Sequence, residues 1–181
     1  MLSHKQVEEA RTRAVSFFDK AGLVLTAEEK ELIEIADFGL GDLERLGLEV
    51  LVYVNTERVC AKELVMFAGQ TCPEHIHPTK NGVPGKEETF RCRWGKVYLY
   101  VSGVPCREPR LNGLDDYREY LHAAHEIELN PGEQYTIMPD TPHWFRAGDE
   151  GAVVSEFSTR STDEEDIFAD PRINRFTVIG K

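Results

Sequence analysis

The sequence has few basic residues for its size. Its 181 residues include 21 Lys and Arg against 32 Asp and Glu, which gives a formal net charge of -11 at pH 7. Nucleic-acid binding requires concentrated positive charge opposite phosphate, and anionic membranes attract basic surfaces. We therefore expect neither a nucleic-acid partner nor a membrane partner.

Long apolar runs are also missing. No stretch approaches the roughly 20 apolar residues that a membrane span requires, and the charged start MLSHKQVEEARTR lacks the apolar core of a signal peptide. The four cysteines form no CxxC pair and show no zinc-type spacing. These features favour a cytoplasmic protein whose thiols are reduced.

The N-terminal part of the chain has helical periodicity. Capping boxes at Ser3–Gln6 and Thr26–Glu29 predict two helices, the first reaching about Ala21 and the second carrying Leu32, Ile33 and Ile35. A third box, Thr162 with Glu165, predicts one helical turn in the tail.

From residue 48 the periodicity changes to short β-type runs. Turn residues such as Gly95 and Gly148 separate these runs, which is typical of a barrel or sandwich. We expect one domain over residues 1–181, with a helical arm over 1–47, a barrel over 48–160 and a helical tail over 161–181. The predicted strands are 48–54, 58–67, 87–93, 96–102, 125–129, 134–138, 143–147 and 151–157.

Four residues form a candidate metal site. His75 and His77 alternate on one strand and so point to one face. Glu88 lies on the next predicted strand, and His143 follows Pro139 at the start of another. A His pair on a strand is more often a surface or core feature, so the order and spacing of all four carry the prediction. Three imidazoles and one carboxylate suit Mn, Fe, Co, Ni or Zn.

These positions resemble the two motifs of the cupin superfamily. The resemblance implies a mainly β fold, a single cupin (jelly-roll) barrel with N-terminal helices and a short C-terminal helix. One departure is the segment PTKNGVPGKE between His77 and Glu88, where the cupin motif has three or four residues; we expect it to form a loop at the barrel mouth. The matching residues are Gly69, His75, His77, Glu88 and Gly95 for the first motif, and Gly132, Pro139 and His143 for the second.

A closer resemblance is carried by CPEHIHP, GKEETFRC, TPHWF and the tail SEFSTRSTDEEDIF. These strings look like the D-lyxose isomerase family. The resemblance implies a metal-dependent isomerase that interconverts D-lyxose with D-xylulose, and D-mannose with D-fructose, through a cis-enediol. It implies one divalent ion, with Mn as first choice and Co, Fe, Ni or Zn as alternatives, and a homodimer that binds a monosaccharide.

Other uses of the same fold stay open at this point, because a fold does not determine function. An iron-dependent dioxygenase could use the same four ligands. A phosphosugar isomerase would need a cluster of Arg or Lys for the phosphate. A third alternative is a sugar-binding cupin without turnover.

Two residues are candidates for proton transfer. Glu156 stands among apolar residues in VVSEFS, where burial would raise its pKa and make it a competent base; the alternative is a salt bridge at the barrel rim. Lys86 precedes Glu88 by two residues and would share its face, so that it could hold a sugar oxygen. The alternative for Lys86 is a solvated lysine on the loop.

Four further residues are candidates for substrate binding. Lys62 interrupts an apolar strand, although its side chain could also extend outward. Glu74 neighbours the His pair and points away from it unless the strand end bends. Phe90 offers an aromatic face for sugar C–H groups, and Asp166 could close over the sugar. We expect the acidic run Asp163–Asp166 as a whole to be a solvated face.

Overall fold

The structure is a computed structural model that describes residues 1–180, and it confirms the mainly β prediction. One nine-stranded sheet curls into a barrel. No helix in the described residues is long and apolar enough to cross a membrane. The elements are α1 (His4–Lys20), α2 (Ala27–Leu32), β1 (Leu2–Ser3), β2 (Glu34–Ala36), β3 (Leu48–Asn55), β4 (Cys60–Met66), β5 (Thr71–Ile76), β6 (Glu88–Val101), β7 (His125–Leu129), β8 (Gln134–Ile137), β9 (His143–Ser158), β10 (Ile167–Phe168) and β11 (Ile179–Gly180).

Both N-terminal helices begin at the predicted capping boxes, at Ser3 and Thr26. The second helix ends earlier than predicted, because Ile33 is already extended and Ile35 lies in β2. Both isoleucines are buried under α1, and a β-branched side chain packs well on a strand. Their i, i+2 spacing places both on one face of a strand, in agreement with the pairing of β2 with β3.

The two longest strands replace four predicted ones. Gly95 is not a turn, because β6 continues through it with a shift of register against β9; β9 likewise continues through Gly148. Gly95 has a positive φ of 73°, and a Cβ there would lie 2.0 Å from the carbonyl oxygen of Gly151. Such bulges bend a strand pair without ending it.

This irregular ladder brings its two ends together. In the β6–β9 register Glu88 pairs with Ser158, whereas His143 pairs with Val101 at the other end. A straight ladder of this length would separate Glu88 from His143 by roughly 40 Å, yet their side chains lie 3.0 Å apart. The curl of the barrel therefore creates the contact between two of the predicted ligands.

The C-terminal tail contains less helix than predicted. Asp163–Glu165 forms one turn of 3-10 helix, and the Thr162 side chain makes no capping hydrogen bond. The chain then pairs with β5 through β10, with Phe168 opposite His75. The tail therefore runs along the strand that carries the His pair.

A buried carboxyl lies outside the barrel interior, beneath the N-terminal arm. Glu49 on β3 is fully buried; its Oε1 accepts a hydrogen bond from Gln70 (3.2 Å), and its Oε2 has no partner within residues 1–180. Burial raises the pKa of Glu49 to about 8 from an ordinary value of 4.5. The unfolded chain therefore loses this proton at lower pH than the folded chain does.

Glu49 should make stability depend on pH. Since its folded pKa is raised, the free energy of unfolding should fall as the pH rises from 4.5 towards 8, by about 2 to 3 kcal/mol between pH 5 and pH 7. Glu49→Gln should remove that part of the decline, as measured by urea denaturation at both pH values. Glu31→Gln, at an exposed side chain of α2, should leave the decline intact. If the free energy of unfolding falls equally with pH in wild type and Glu49→Gln, the prediction is contradicted.

Candidate active site

The four predicted metal ligands meet at one point inside the barrel. Each offers one ligand atom, and these atoms all lie within 4.8 Å of one another. His75 belongs to β5 and His77 follows that strand, while Glu88 and His143 are the first residues of β6 and β9. All four side chains are buried. Strand pairing supports the geometry, because His75 lies directly opposite His143.

The outer ring nitrogens of the three histidines are held in place. The Nδ1 of His75 donates to the Pro73 carbonyl oxygen, and that of His143 to the Thr141 carbonyl oxygen, both at 2.8 Å. The Nδ1 of His77 lies 2.6 Å from Oδ1 of Asp166. Each ring therefore presents Nε2 to the centre, which is the arrangement that orients metal-bound histidines.

The donor set fits a divalent metal ion. The Nε2 atom of His143 is buried without a hydrogen-bond partner among residues 1–180, and unsatisfied polar atoms of this kind are costly unless something binds them. Oε1 of Glu88 lies 3.2 Å from Nε2 of His77 and 3.0 Å from Nε2 of His143. Three imidazoles and a carboxylate at this spacing could hold Mn, Fe, Co, Ni or Zn.

Protonation of the cluster follows from burial and its neighbours. Burial, together with the nearby His143 and His77, lowers the pKa of His75 well below its usual value. Burial also acts to lower the pKa of His77, but the Glu88 and Asp166 carboxylates outweigh it and raise that pKa to about 9. A metal ion binding here would displace this proton, since ligating imidazoles are neutral.

A small cavity of about 40 Å³ adjoins the cluster and opens to solvent. One side is apolar and aromatic, and the other is charged. Phe90 lies on the aromatic side and packs edge-on against Phe145, with ring centroids 4.8 Å apart. Small-molecule sites commonly combine such an apolar wall with a few placed polar groups.

The charged side contains both residues predicted for proton transfer. Lys86 donates to Oε2 of Glu88 (2.7 Å) and to Oε1 of Glu156 (3.2 Å). It is buried, so the alternative of a solvated loop lysine is wrong. Glu156 is not isolated among apolar groups, because it contacts Lys86 and also Lys62, whose Nζ lies 3.7 Å away.

Lys62 and Asp166 also lie at the cavity. Lys62 is buried and turned into the barrel, where it donates to Ser161 (2.8 Å) and Asp163 (3.0 Å); the outward alternative is wrong. Asp166 reaches the cavity by its contact with His77. The expectation of a solvated acidic face therefore holds for Glu164 and Glu165 but is wrong for Asp163 and Asp166.

Glu74 is placed differently from the other candidates. Its Oε2 accepts hydrogen bonds from the backbone N–H groups of His122 and Ala123, each at 2.7 Å, and its Oε1 lies 3.0 Å from Nδ1 of His122. Strict strand alternation directs the Glu74 side chain away from the His pair, and the alternative in which the strand end bends it inward is not observed. Glu74 therefore stabilises the loop before β7 by hydrogen bonds. It is not among the residues that line the cavity.

The segment between His77 and Glu88 lies at the entrance. Its Lys80 and Val83 exchange backbone hydrogen bonds in a tight turn, and Asp140 binds Thr79. A surface groove runs between this segment and residues 159–165, and Lys86 lines both the groove and the cavity. These positions agree with the predicted mouth loop.

Three cavity residues have no counterpart in the sequence predictions. Phe38, Phe168 and Arg175 line the cavity, with Phe168 5.4 Å from the His75 ring between centroids. Phe38 and Arg175 lie in no recognisable motif. Phe168 ends the string SEFSTRSTDEEDIF, but only the pairing of the tail with β5 shows that it reaches the cavity. Arg175 binds Glu34 and Asp163 from a tail that shows no periodicity.

Every cation of the cavity already contacts a carboxylate. Lys62, Lys86 and Arg175 face four carboxylates that also line the cavity. This pairing lowers the cost of burying the ionic groups. The contacts are Lys62 with Asp163 and Glu156, Lys86 with Glu88 and Glu156, and Arg175 with Glu34 and Asp163, while Asp166 contacts His77.

Solved structures share this fold. An L-ribose isomerase of Cellulomonas parahominis matches with a TM-score of 0.81 over 99% of this chain and 98% of its own, at 16% sequence identity. An L-ribose isomerase of Acinetobacter sp. matches equally well, with a TM-score of 0.81. At this identity the likeness concerns the fold, and it confirms the cupin-type barrel with N-terminal helices.

Other relatives have a much higher sequence identity to this chain than these solved structures have. The model of the D-lyxose isomerase family matches residues 106–181. A D-lyxose/D-mannose isomerase of Thermosediminibacter oceani is 60% identical, and a D-lyxose ketol-isomerase of a Thermofilum species is 58% identical, each over 99% of both chains. With relatives this similar along its whole length, the chain belongs to the D-lyxose isomerase family and is a sugar isomerase.

Proposed function

We propose that this enzyme interconverts D-lyxose with D-xylulose and D-mannose with D-fructose, with one divalent ion bound by His75, His77, Glu88 and His143. The supporting observation is the convergence of three imidazole nitrogens and one carboxylate beside a cavity that contains a further carboxylate, Glu156. Mn is the first choice among ions of this ligand chemistry, followed by Co, Fe, Ni and Zn.

The charges of the cavity support an unphosphorylated substrate. Its three cations are each paired with carboxylates, so no cluster of Arg or Lys is available for a phosphate dianion. Arg91 is on the outer face, where it binds Gln134 (3.0 Å). A neutral monosaccharide can use the same groups as hydrogen-bond partners without displacing an ion pair.

The catalytic roles follow from positions around the cluster. A divalent ion, when bound, would supply Lewis-acid stabilisation of the charge that develops on the sugar oxygens. Glu156 takes the proton from C2 and returns it to C1 through a cis-enediol, while the hydroxyl proton of O2 passes to O1. Lys86 holds the sugar oxygen nearest Glu88 and stabilises its negative charge. Phe90 contacts the sugar on the apolar side of the cavity, and Lys62 contacts it on the charged side. Asp166 keeps the His77 ring oriented.

An anaerobic incubation tests the reaction. The manganese-loaded protein is mixed with D-lyxose, D-mannose or D-fructose in deuterated water, and NMR follows the products. We expect interconversion without oxygen, and deuterium at C1 or C2 because a proton held on Glu156 between the two transfers exchanges with solvent. Interconversion with no deuterium would favour a hydride shift, and no interconversion of any pair would overturn the proposed activity.

Asp166 should tune metal affinity through His77. Asp166→Asn should weaken metal binding by about 10- to 100-fold, because the carboxylate that orients the ring and increases its basicity is lost. Competition with a chromophoric chelator measures this without any turnover assay. Glu165→Gln, on the neighbouring exposed residue, is the matched control. Equal metal affinity in Asp166→Asn and wild type would contradict the role.

The working unit is proposed to be one domain over residues 1–181. The arm is joined to the barrel by a shared apolar cluster that includes Phe18 of α1 and Val65 of β4, and tail residues Asp163 and Phe168 line the cavity. A homodimer and a cytoplasmic location stay predictions, and light scattering during gel filtration checks the dimer.

A further inference from the structure

Asp163 is surrounded by three cations. One of its oxygens, Oδ2, lies 3.0 Å from Nζ of Lys62 and 2.9 Å from Nη2 of Arg175, and Oδ1 lies 3.8 Å from Nζ of Lys86. The Ser161 hydroxyl also contacts Oδ1. These positive charges outweigh the effect of burial and hold the pKa of Asp163 well below its usual value.

Arg175 fixes Asp163 to the barrel. Its guanidinium binds Glu34 of β2 on one side, with Nη1 2.5 Å from Oε1, and Asp163 on the other. Only 12% of the Arg175 side chain is exposed. A planar guanidinium held at two sites positions its carboxylate partners more rigidly than a single ammonium contact does. Asp163 is therefore anchored although it lies in a short 3-10 turn.

The two lysines that Asp163 contacts both reach the same oxygen of Glu156. Nζ of Lys86 lies 3.2 Å and Nζ of Lys62 lies 3.7 Å from Oε1 of Glu156, and the Ser158 hydroxyl donates to that atom at 3.4 Å. No hydrogen bond among residues 1–180 involves Oε2 of Glu156. Oε1 thus accepts hydrogen bonds from Lys86 and Ser158 and also faces the Lys62 ammonium, whereas Oε2 has no hydrogen-bond donor.

We propose that Asp163, anchored by Arg175, is a positioning residue that holds Lys62 and Lys86 on Oε1 of Glu156 and so keeps Oε2 free to take the sugar proton. This inference rests on the proposed function, in which Glu156 moves the proton between C2 and C1. Without the Asp163 carboxylate the two lysines would keep only carboxylates on the other side, and they would shift to span both oxygens of Glu156. The base would then be blocked while the residues of the metal cluster stay in place.

Asp163→Asn tests this role. We expect kcat to fall by about 10- to 100-fold, the usual effect of a small misplacement of a reacting group, with KM within about 2-fold of wild type and metal content unchanged. The isotope effect on kcat, measured with D-mannose carrying deuterium at C2, should rise because proton transfer becomes slower. Asp163→Glu should recover part of kcat, and Glu164→Gln, at an exposed neighbour, should match wild type.

Several outcomes would overturn the inference. The first is an unchanged kcat in Asp163→Asn. The second is a lower kcat with an unchanged isotope effect, because a smaller fraction of folded enzyme lowers kcat without changing the isotope effect. If Asp163→Asn does not fold, Arg175→Gln replaces it, because this variant releases Asp163 from its anchor and keeps the Asp163 carboxylate. A lower kcat and a larger isotope effect are again expected, and the absence of both refutes the role. If wild type shows no isomerisation, or Glu156→Gln keeps full turnover, the proposed function itself fails.

Discussion

His143→Ala is expected to remove both metal binding and turnover. The Nε2 atom of His143 is buried at the centre of the cluster, and no other donor in the described part of the chain can reach that position. Losing it leaves a site with three ligands. Turnover should fall by at least about 100-fold.

Elemental analysis of the purified variant, together with isomerase rates at saturating sugar, checks this result. His4→Ala is the matched control, because His4 is exposed at the start of α1, far along the chain from the cluster. A His143→Ala protein that retains one equivalent of metal and normal turnover would refute the assignment of the site.

Glu156→Gln should retain its metal but lose turnover. The amide has the same shape but cannot accept the C2 proton, so kcat should fall by about 100- to 10,000-fold, the range that general acid–base catalysis contributes. Metal content should stay at the wild-type value, since Glu156 contacts Lys62 and Lys86 and none of the four cluster residues.

The matched control for Glu156→Gln is Glu63→Gln. Glu63 lies beside Lys62 on β4, is also buried, and binds Ser155 on the opposite face of the sheet from Glu156. Rates and metal content of both variants are measured in parallel with D-lyxose. Unchanged turnover in Glu156→Gln would remove Glu156 from the mechanism, whereas an equal loss in both variants would indicate damage to the sheet instead.

Local patterns predicted much of the secondary structure and the site. Both capping boxes are satisfied within four residues of the chain, so Ser3 and Thr26 could be identified without any tertiary information. The alternation of His75 and His77 on one strand is equally local. The metal-ligating role of the four residues stays a prediction, but their meeting at one point agrees with it.

Predictions failed where a long-range contact determined the result. Ile33 and Ile35 are predicted in the helix and yet lie outside it, because this segment pairs with β3 through β2; their i, i+2 spacing places both on one face of a strand. Asp163 is predicted to be a solvated charge, because the sequence does not show that Lys62, Lys86 and Arg175 surround it. Those residues are separated from it by 12 to 101 positions, beyond the range of any periodicity.

The sequence by itself determined the ligand types, their order and the family resemblance, because these depend on residue identity and short spacing. Only the tertiary structure decided that Glu88 and His143, at opposite ends of the β6–β9 ladder, come to 3.0 Å. The reason is the bulged, curled ladder at Gly95, where a glycine that looks like a turn allows two backbones to approach closely. The returning tail places Asp163 and Arg175 at the same cavity as Glu156, where Lys62 and Lys86 contact one oxygen of that carboxylate.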